Sequence, residues 1–106
     1  RNISIARNAG LSASRAEWVA FIDDDEVADP AWLQSLLTSA EKTGADAVFG
    51  PAFAAYGDAA PDWMRDQDHH SNIPERRAGR VETGHTCNAL LRGGQAPWVV
   101  QRVDVA

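Results

Sequence analysis

The strongest hydrophobic signal is Trp18-Val19-Ala20-Phe21-Ile22, an unbroken apolar run that stops at four consecutive acids, Asp23-Asp24-Asp25-Glu26. Nothing polar alternates within it, which is how a strand covered on both faces reads, so a buried strand is predicted over 17–23. Upstream, Ile3, Ala6, Gly10 and Ala13 recur at three- and four-residue spacing and predict a helix over 3–15. Its small residues suit a close approach to a sheet, which would offset the roughly 1 kcal/mol of helix propensity that a glycine costs. After the acids, Asp29 offers a helix N-cap and Pro30 a first helical residue whose missing N–H is harmless. Leu33, Leu36, Leu37 and Ala40 then form one stripe and Gly44 suits a left-handed cap, predicting a second sheet-packed helix over 30–43. Trp32 is expected in the helix–sheet packing.

Ala45 to Gly50 reads as the next strand, interrupted by Pro51, with 52–56 able to extend it as an edge or bent strand. The helix–strand–helix–strand rhythm predicts an α/β fold with a mainly parallel sheet, the strands at 17–23 and 45–50 lying side by side. Residues 57–83 are charged and broken by proline, with Trp63-Met64 as their apolar anchor; they read as a long irregular loop with a helical turn at 61–65. His69 and His70 are adjacent, so they point apart, make a poor metal pair and are read as solvated. A last strand is expected over 84–92, ended by Gly93-Gly94, followed by a weakly specified tail over 97–106.

Composition narrows this only modestly. At 106 residues the chain is one domain at most, and its apolar and charged shares are those of an ordinary globular protein. Fifteen acids against ten bases, a net charge of −5, argue against a general nucleic-acid binder. The one cysteine, Cys87, excludes an internal disulfide and a cysteine zinc cage and suits a reducing compartment. No apolar run approaches the length of a membrane span. The chain opens without an initiator Met and inside a helical pattern, so a piece of a longer protein is expected.

The candidate chemistry lies where the first strand leaves the sheet, since ligands of open α/β sheets bind outside the carboxyl ends of the strands. Alternate residues of an extended segment point the same way, so Asp23 and Asp25 can converge on one ligand while Asp24 faces elsewhere. Crowded carboxylates repel, and a cation would offset them; a solvated acidic turn is the other reading of the same residues. Arg7 and Asn8, in the middle of the first helix, are read either as a solvated pair or as part of a cleft.

Taken together, Ile5-Ala6-Arg7-Asn8-Ala9-Gly10-Leu11, then Trp18 to Glu26, then Asp29-Pro30-Ala31-Trp32-Leu33 resemble the central segment of inverting family 2 glycosyltransferases, most closely the bacterial succinoglycan-biosynthesis branch. Gly84-His85-Thr86-Cys87-Asn88-Ala89-Leu90-Leu91-Arg92 is similar to a later strand of that family. The resemblance implies a partial GT-A fold, a nucleotide-diphosphate sugar donor, and a saccharide or lipid-linked acceptor used in cell-surface or exopolysaccharide synthesis. It implies a cytoplasmic protein, at the inner face of a membrane where it associates peripherally. In such enzymes Mg²⁺ or Mn²⁺ takes oxygen ligands from carboxylates and from the diphosphate that leaves. By the same carry-over Asp23 faces the ribose side of the nucleotide, Asp25 holds the metal, Asp24 is the variable middle position and Glu26 tunes local charge. Arg7 and Asn8 line or support the nucleotide cleft, while His85, Cys87 and Asn88 are acceptor-side candidates. The family's first, base-binding strand and its C-terminal part have no counterpart here. The general base, an Asp of a Glu-Asp pair, is also unmatched; Asp104 has no preceding Glu and is not assigned. The chain is therefore expected to be a partial domain over 1–106 that does not complete sugar transfer.

Two other readings compete. In a haloacid-dehalogenase-type phosphatase, Asp23 would be the nucleophile and Asp25 the acid/base, but Lys42 sits near a helix end and no second acidic pair follows a strand. A non-catalytic fragment or binding module could also keep the sheet without the chemistry.

Overall fold

The computed structural model describes residues 2–78, 80–93 and 103–105. Helix α1 (Ile3–Ala13) leads to strand β1 (Trp18–Ile22), helix α2 (Trp32–Thr43) and strand β2 (Ala47–Phe49). There follow a short helix α3 (Asp62–Gln67), a hairpin of β3 (Glu75–Arg77) and β4 (Arg80–Thr83), then β5 (Asn88–Arg92) and β6 (Val103–Val105).

The main sheet runs β1-β5-β2-β6. Strand β5 is antiparallel to both β1 and β2, and β2 is parallel to β6. The expected parallel neighbours, 17–23 and 45–50, are thus separated by β5, and the mainly parallel sheet is replaced by a mixed one. The reason is burial: Ala89, Leu90 and Leu91 are 0%, 1% and 6% exposed, and a strand apolar on both faces takes the centre. The apolar run of β1 established a strand but carried no information about its neighbour. Nor is it covered on both faces as expected: β1 lies at the edge of the described sheet, none of its residues is buried, and Ala20 and Ile22 are exposed.

The core is Leu36 and Ala40 of α2 against Ala45, Val48 and Leu90, with Trp18, Trp32 and Leu37 packed around it. Trp32 takes the place expected for Leu33, which is 45% exposed. Asp29 stops the chain ahead of α2 as anticipated: its carboxylate accepts from Ala31 N at 2.8 Å and its carbonyl from Trp32 N at 2.9 Å. The regular helix then begins at Trp32, not Pro30. Gly44 ends it at φ 66°, donating to the Ala40 carbonyl, a conformation that only glycine adopts without strain. Leu90→Ala is expected to lower stability by about 3 kcal/mol in urea denaturation, because its cavity cannot collapse between α2 and β2; Leu33→Ala should change it little.

Helix α1 departs from expectation. Asn2 caps it, accepting from Ser4 N and Ile5 N, but none of its residues is buried and nothing lies within 4 Å of a Cβ placed on Gly10. Its described link to the sheet end is Arg7. The 57–83 segment is also more ordered than a loop, holding α3 and the hairpin, while 52–56 contributes only one bridge, Ala52 to Asn72. The last strand begins at Asn88, residues 84–87 forming the turn before it. Of the tail expected over 97–106, residues 103–105 are β6; the remainder lies outside the described residues.

Candidate functional site

At the opposite edge of β1 from the acids, Arg92 fixes register: its Nε lies 3.1 Å from Asp46, its Nη1 3.8 Å from Glu17, and its guanidinium sits 4.3 Å over the Trp18 ring. With that end locked, β1 delivers its acids to the rim of a cleft of about 800 Å³. Ile22, Asp23 and Asp25 to Asp29 line one wall of the cleft, Trp32 and Asn88 its floor, and Gly50–Ala55 with His70 and Asn72 the far wall.

Carboxylate oxygens of Asp23, Asp25 and Glu26 all lie within 4.8 Å of one another. Asp24 is exposed and is not among the cleft-lining residues, although it lies in a turn and not in the extended chain from which that was expected. Glu26 joins the cluster because the backbone turns there, Glu26 N donating to the Asp23 carbonyl at 3.2 Å; extended-strand reasoning could not find this. Arg7 donates from Nη2 to Asp23 Oδ1 at 2.6 Å, both side chains half-buried. Asn8 is exposed on α1.

Burial pushes the Glu26 carboxyl up, the charges of Asp23 and Asp25 push it further, and a bond from the Cys87 thiol partly opposes them. Cys87 is buried beneath the cluster, and burial followed by the Glu26 charge raises its thiol in turn. Three convergent carboxylates with oxygen donors alone fit a hard divalent cation such as Mg²⁺ or Mn²⁺.

The acceptor-side candidates separate. His85 is exposed in the turn before β5 and is not among the cleft-lining residues. Asn88 is in the floor, but both ends of its amide are engaged: Oδ1 accepts from Trp32 Nε1 at 2.8 Å and Nδ2 donates to the Pro51 carbonyl at 2.8 Å. Gly50 permits this, since a Cβ there would lie 2.5 Å from Asn88 Nδ2. Asn88 thus ties α2, β5 and the far wall together.

A second network holds the far wall. Ala52 and Asn72 exchange both backbone hydrogen bonds at 2.8 Å, and Ala54 N donates to Ser71 Oγ at 2.8 Å. Ser71 Oγ donates to Asp68 at 2.8 Å, and the Tyr56 hydroxyl donates to the same carboxylate oxygen. Asp68 sits at φ 42° as the cap of α3. His70, read from sequence as a solvated neighbour of His69, lines the cleft with its ring 6.3 Å from that of Tyr56; His69 instead meets Gln67. The Tyr56 hydroxyl, then that of Ser71, hold the Asp68 carboxyl below the usual carboxylate range. A depressed carboxyl contributes stability above the ordinary aspartate value and loses it as pH falls through the lower folded value. Acidification through that window is therefore expected to release Tyr56 and Ala54, seen as chemical-shift changes that vanish in Asp68→Asn.

The chain belongs to glycosyl transferase family 2, which its residues 1–92 match; the family carries the GT-A nucleotide-sugar transferase fold. It is 50% identical over 105 residues to the succinoglycan biosynthesis protein ExoM of Rhizobium meliloti (strain 1021), a match covering 99% of this chain and 34% of that protein. It is 38% identical over 64 residues to the glucosyl-dolichyl phosphate glucuronosyltransferase of Haloferax volcanii, covering 60% of this chain and 18% of that protein. The chain thus spans about a third of the length of the first relative. No solved structure matches it. Family membership sets the phosphatase reading aside.

Proposed function

We propose that the cleft binds the diphosphate of a nucleotide sugar, and that the chain is the donor-binding part of a transferase that passes a sugar to a saccharide or lipid-linked acceptor in exopolysaccharide synthesis. The observation that carries this reading is the convergence of Asp23, Asp25 and Glu26 at the cleft rim. Asp25 and Glu26 would hold Mg²⁺ or Mn²⁺, which when bound offsets the charge on the departing diphosphate. Asp23, its charge shared with Arg7, is oriented toward the nucleoside side, and Arg7 is its support. The relatives' printed names, a succinoglycan biosynthesis protein and a glucuronosyltransferase, agree with sugar transfer.

None of the described side chains is assigned as the base that an inverting transferase requires; the side chain of Asp104 lies outside the described residues. Among the described residues no helix is long and apolar enough to cross a membrane, and peripheral association at the cytoplasmic face belongs to the same proposal. Calorimetric titration with uridine diphosphate, with Mn²⁺ and then with excess chelator, tests the cation. Binding should require Mn²⁺; equal affinity in chelator would refute it.

A further inference from the structure

The far wall of the cleft, Gly50 to Ala55, is built from small residues with one exception, Phe53. Phe53 lines the cleft and yet is 72% exposed. An aromatic ring in that position forgoes the burial that normally makes phenylalanine favourable in a fold. Nor is it on a loose segment. Residues on both sides of it are pinned, Ala52 to Asn72 through two backbone bonds and Ala54 to the Ser71 hydroxyl, which Asp68 holds in turn. The chain thus fixes the backbone that carries an exposed phenylalanine lining the same cleft as three carboxylates.

The occupant must offer a flat apolar face and a polar edge, and it must leave room for the cation side of the cleft. A pyranose ring has this form: one face of C–H groups and a rim of hydroxyls. The small neighbours Ala52, Ala54 and Ala55 leave space beside the ring, and Asn72 and Asp29 line the cleft with groups suited to hydroxyls. The acidic wall disfavours an anionic lipid surface as occupant. The geometry points to Phe53 as the platform on which the sugar ring stacks, a specificity-determining residue of the cleft. This assignment rests on the nucleotide-sugar reading above, and the ring it receives is either the hexose of the donor or the terminal sugar of the acceptor.

The test uses the chain with Mn²⁺ and three probes: uridine diphosphate, uridine diphosphate glucose, and cellotetraose in the presence of uridine diphosphate. Phe53→Ala and Phe53→Tyr are compared with wild type by calorimetry, with ring-current shifts of the sugar C–H protons read by NMR. Phe53→Ala should weaken one sugar probe about fivefold and erase its shifts, leave uridine diphosphate unchanged, and be rescued by the tyrosine. Loss in the glucose-nucleotide arm assigns the donor hexose; loss in the cellotetraose arm assigns the acceptor. Unchanged affinity for both sugar probes, with uridine diphosphate still bound, overturns the platform and leaves the nucleotide reading standing. An equal loss for uridine diphosphate alone would make the ring a nucleotide contact and also overturns it. If uridine diphosphate shows no dependence on Mn²⁺, the nucleotide reading fails and the platform falls with it.

Discussion

Asp25→Ala should weaken Mn²⁺-dependent binding of uridine diphosphate by at least about tenfold, the lower end of what even an outer-shell partner of a metal contributes. The carboxylate stands in a group whose oxygens all lie within 4.8 Å, so its removal deletes a donor that no described neighbour replaces. Asp24→Ala should change little, because that side chain is exposed and away from the cleft. Glu26→Gln should fall between them, since the amide keeps one oxygen donor and loses the charge. The two aspartates are adjacent, so the comparison separates a shaped site from general negative charge. Calorimetry on variants with unchanged far-UV circular dichroism decides it, and equal binding by Asp25→Ala and wild type would remove the metal assignment.

Asn88→Ala is the second large effect, on stability. It leaves Trp32 Nε1 and the Pro51 carbonyl without the partners they hold at 2.8 Å. At about 1–3 kcal/mol for each unsatisfied group, discounted because the site is only partly buried, the sum is about 2–4 kcal/mol in denaturant unfolding. Asn88→Asp should lose less, because it keeps the acceptor for Trp32. Gly50→Ala presses on the same bridge, its Cβ falling 2.5 Å from Asn88 Nδ2, and should destabilise by displacing the amide. Wild-type stability in Asn88→Ala would show that the amide does not hold the floor to the wall.

What could be read from the sequence was whatever a single element encodes. The strand at β1, the Leu36–Ala40 face of α2 and the Gly44 cap are local patterns with local causes, and they stand where they were expected. The burial of β1 does not, since it lies at the edge of the described sheet with Ala20 and Ile22 exposed. The pairing of β1 with β5 is not local: Ala20 opposite Leu90 depends on which strand is most apolar on both faces, a comparison across the whole sheet. The hairpin was hidden because Glu75-Arg76-Arg77 shows no alternation and all three residues are exposed. At the site, Asp23 and Asp25 converge as expected, but the turn from Asp23 to Glu26 brings them together, since β1 and its two-residue repeat end at Ile22. The same turn brings in Glu26, and His70 lies beside a clamp of neighbouring Asp68 and Ser71 that Tyr56, twelve residues before Asp68, completes. Helix α1 matched in type but not in burial, since none of its residues is buried and nothing lies near Gly10.

The central place of β5 has a consequence for synthesis. Trp18 pairs with Arg92, so β1 waits for most of the chain before it has a hydrogen-bonding neighbour on that side, and β2 waits for the same strand. Closing so long a loop must precede any gain from the pairing, which makes such an assembly slow. On the ribosome the acidic turn, α2 and the far wall emerge before Asn88, the residue that ties wall to floor. Until then the apolar edges of two strands stand open, and it is in this interval that the nascent chain is most exposed to mispairing and to chaperone capture.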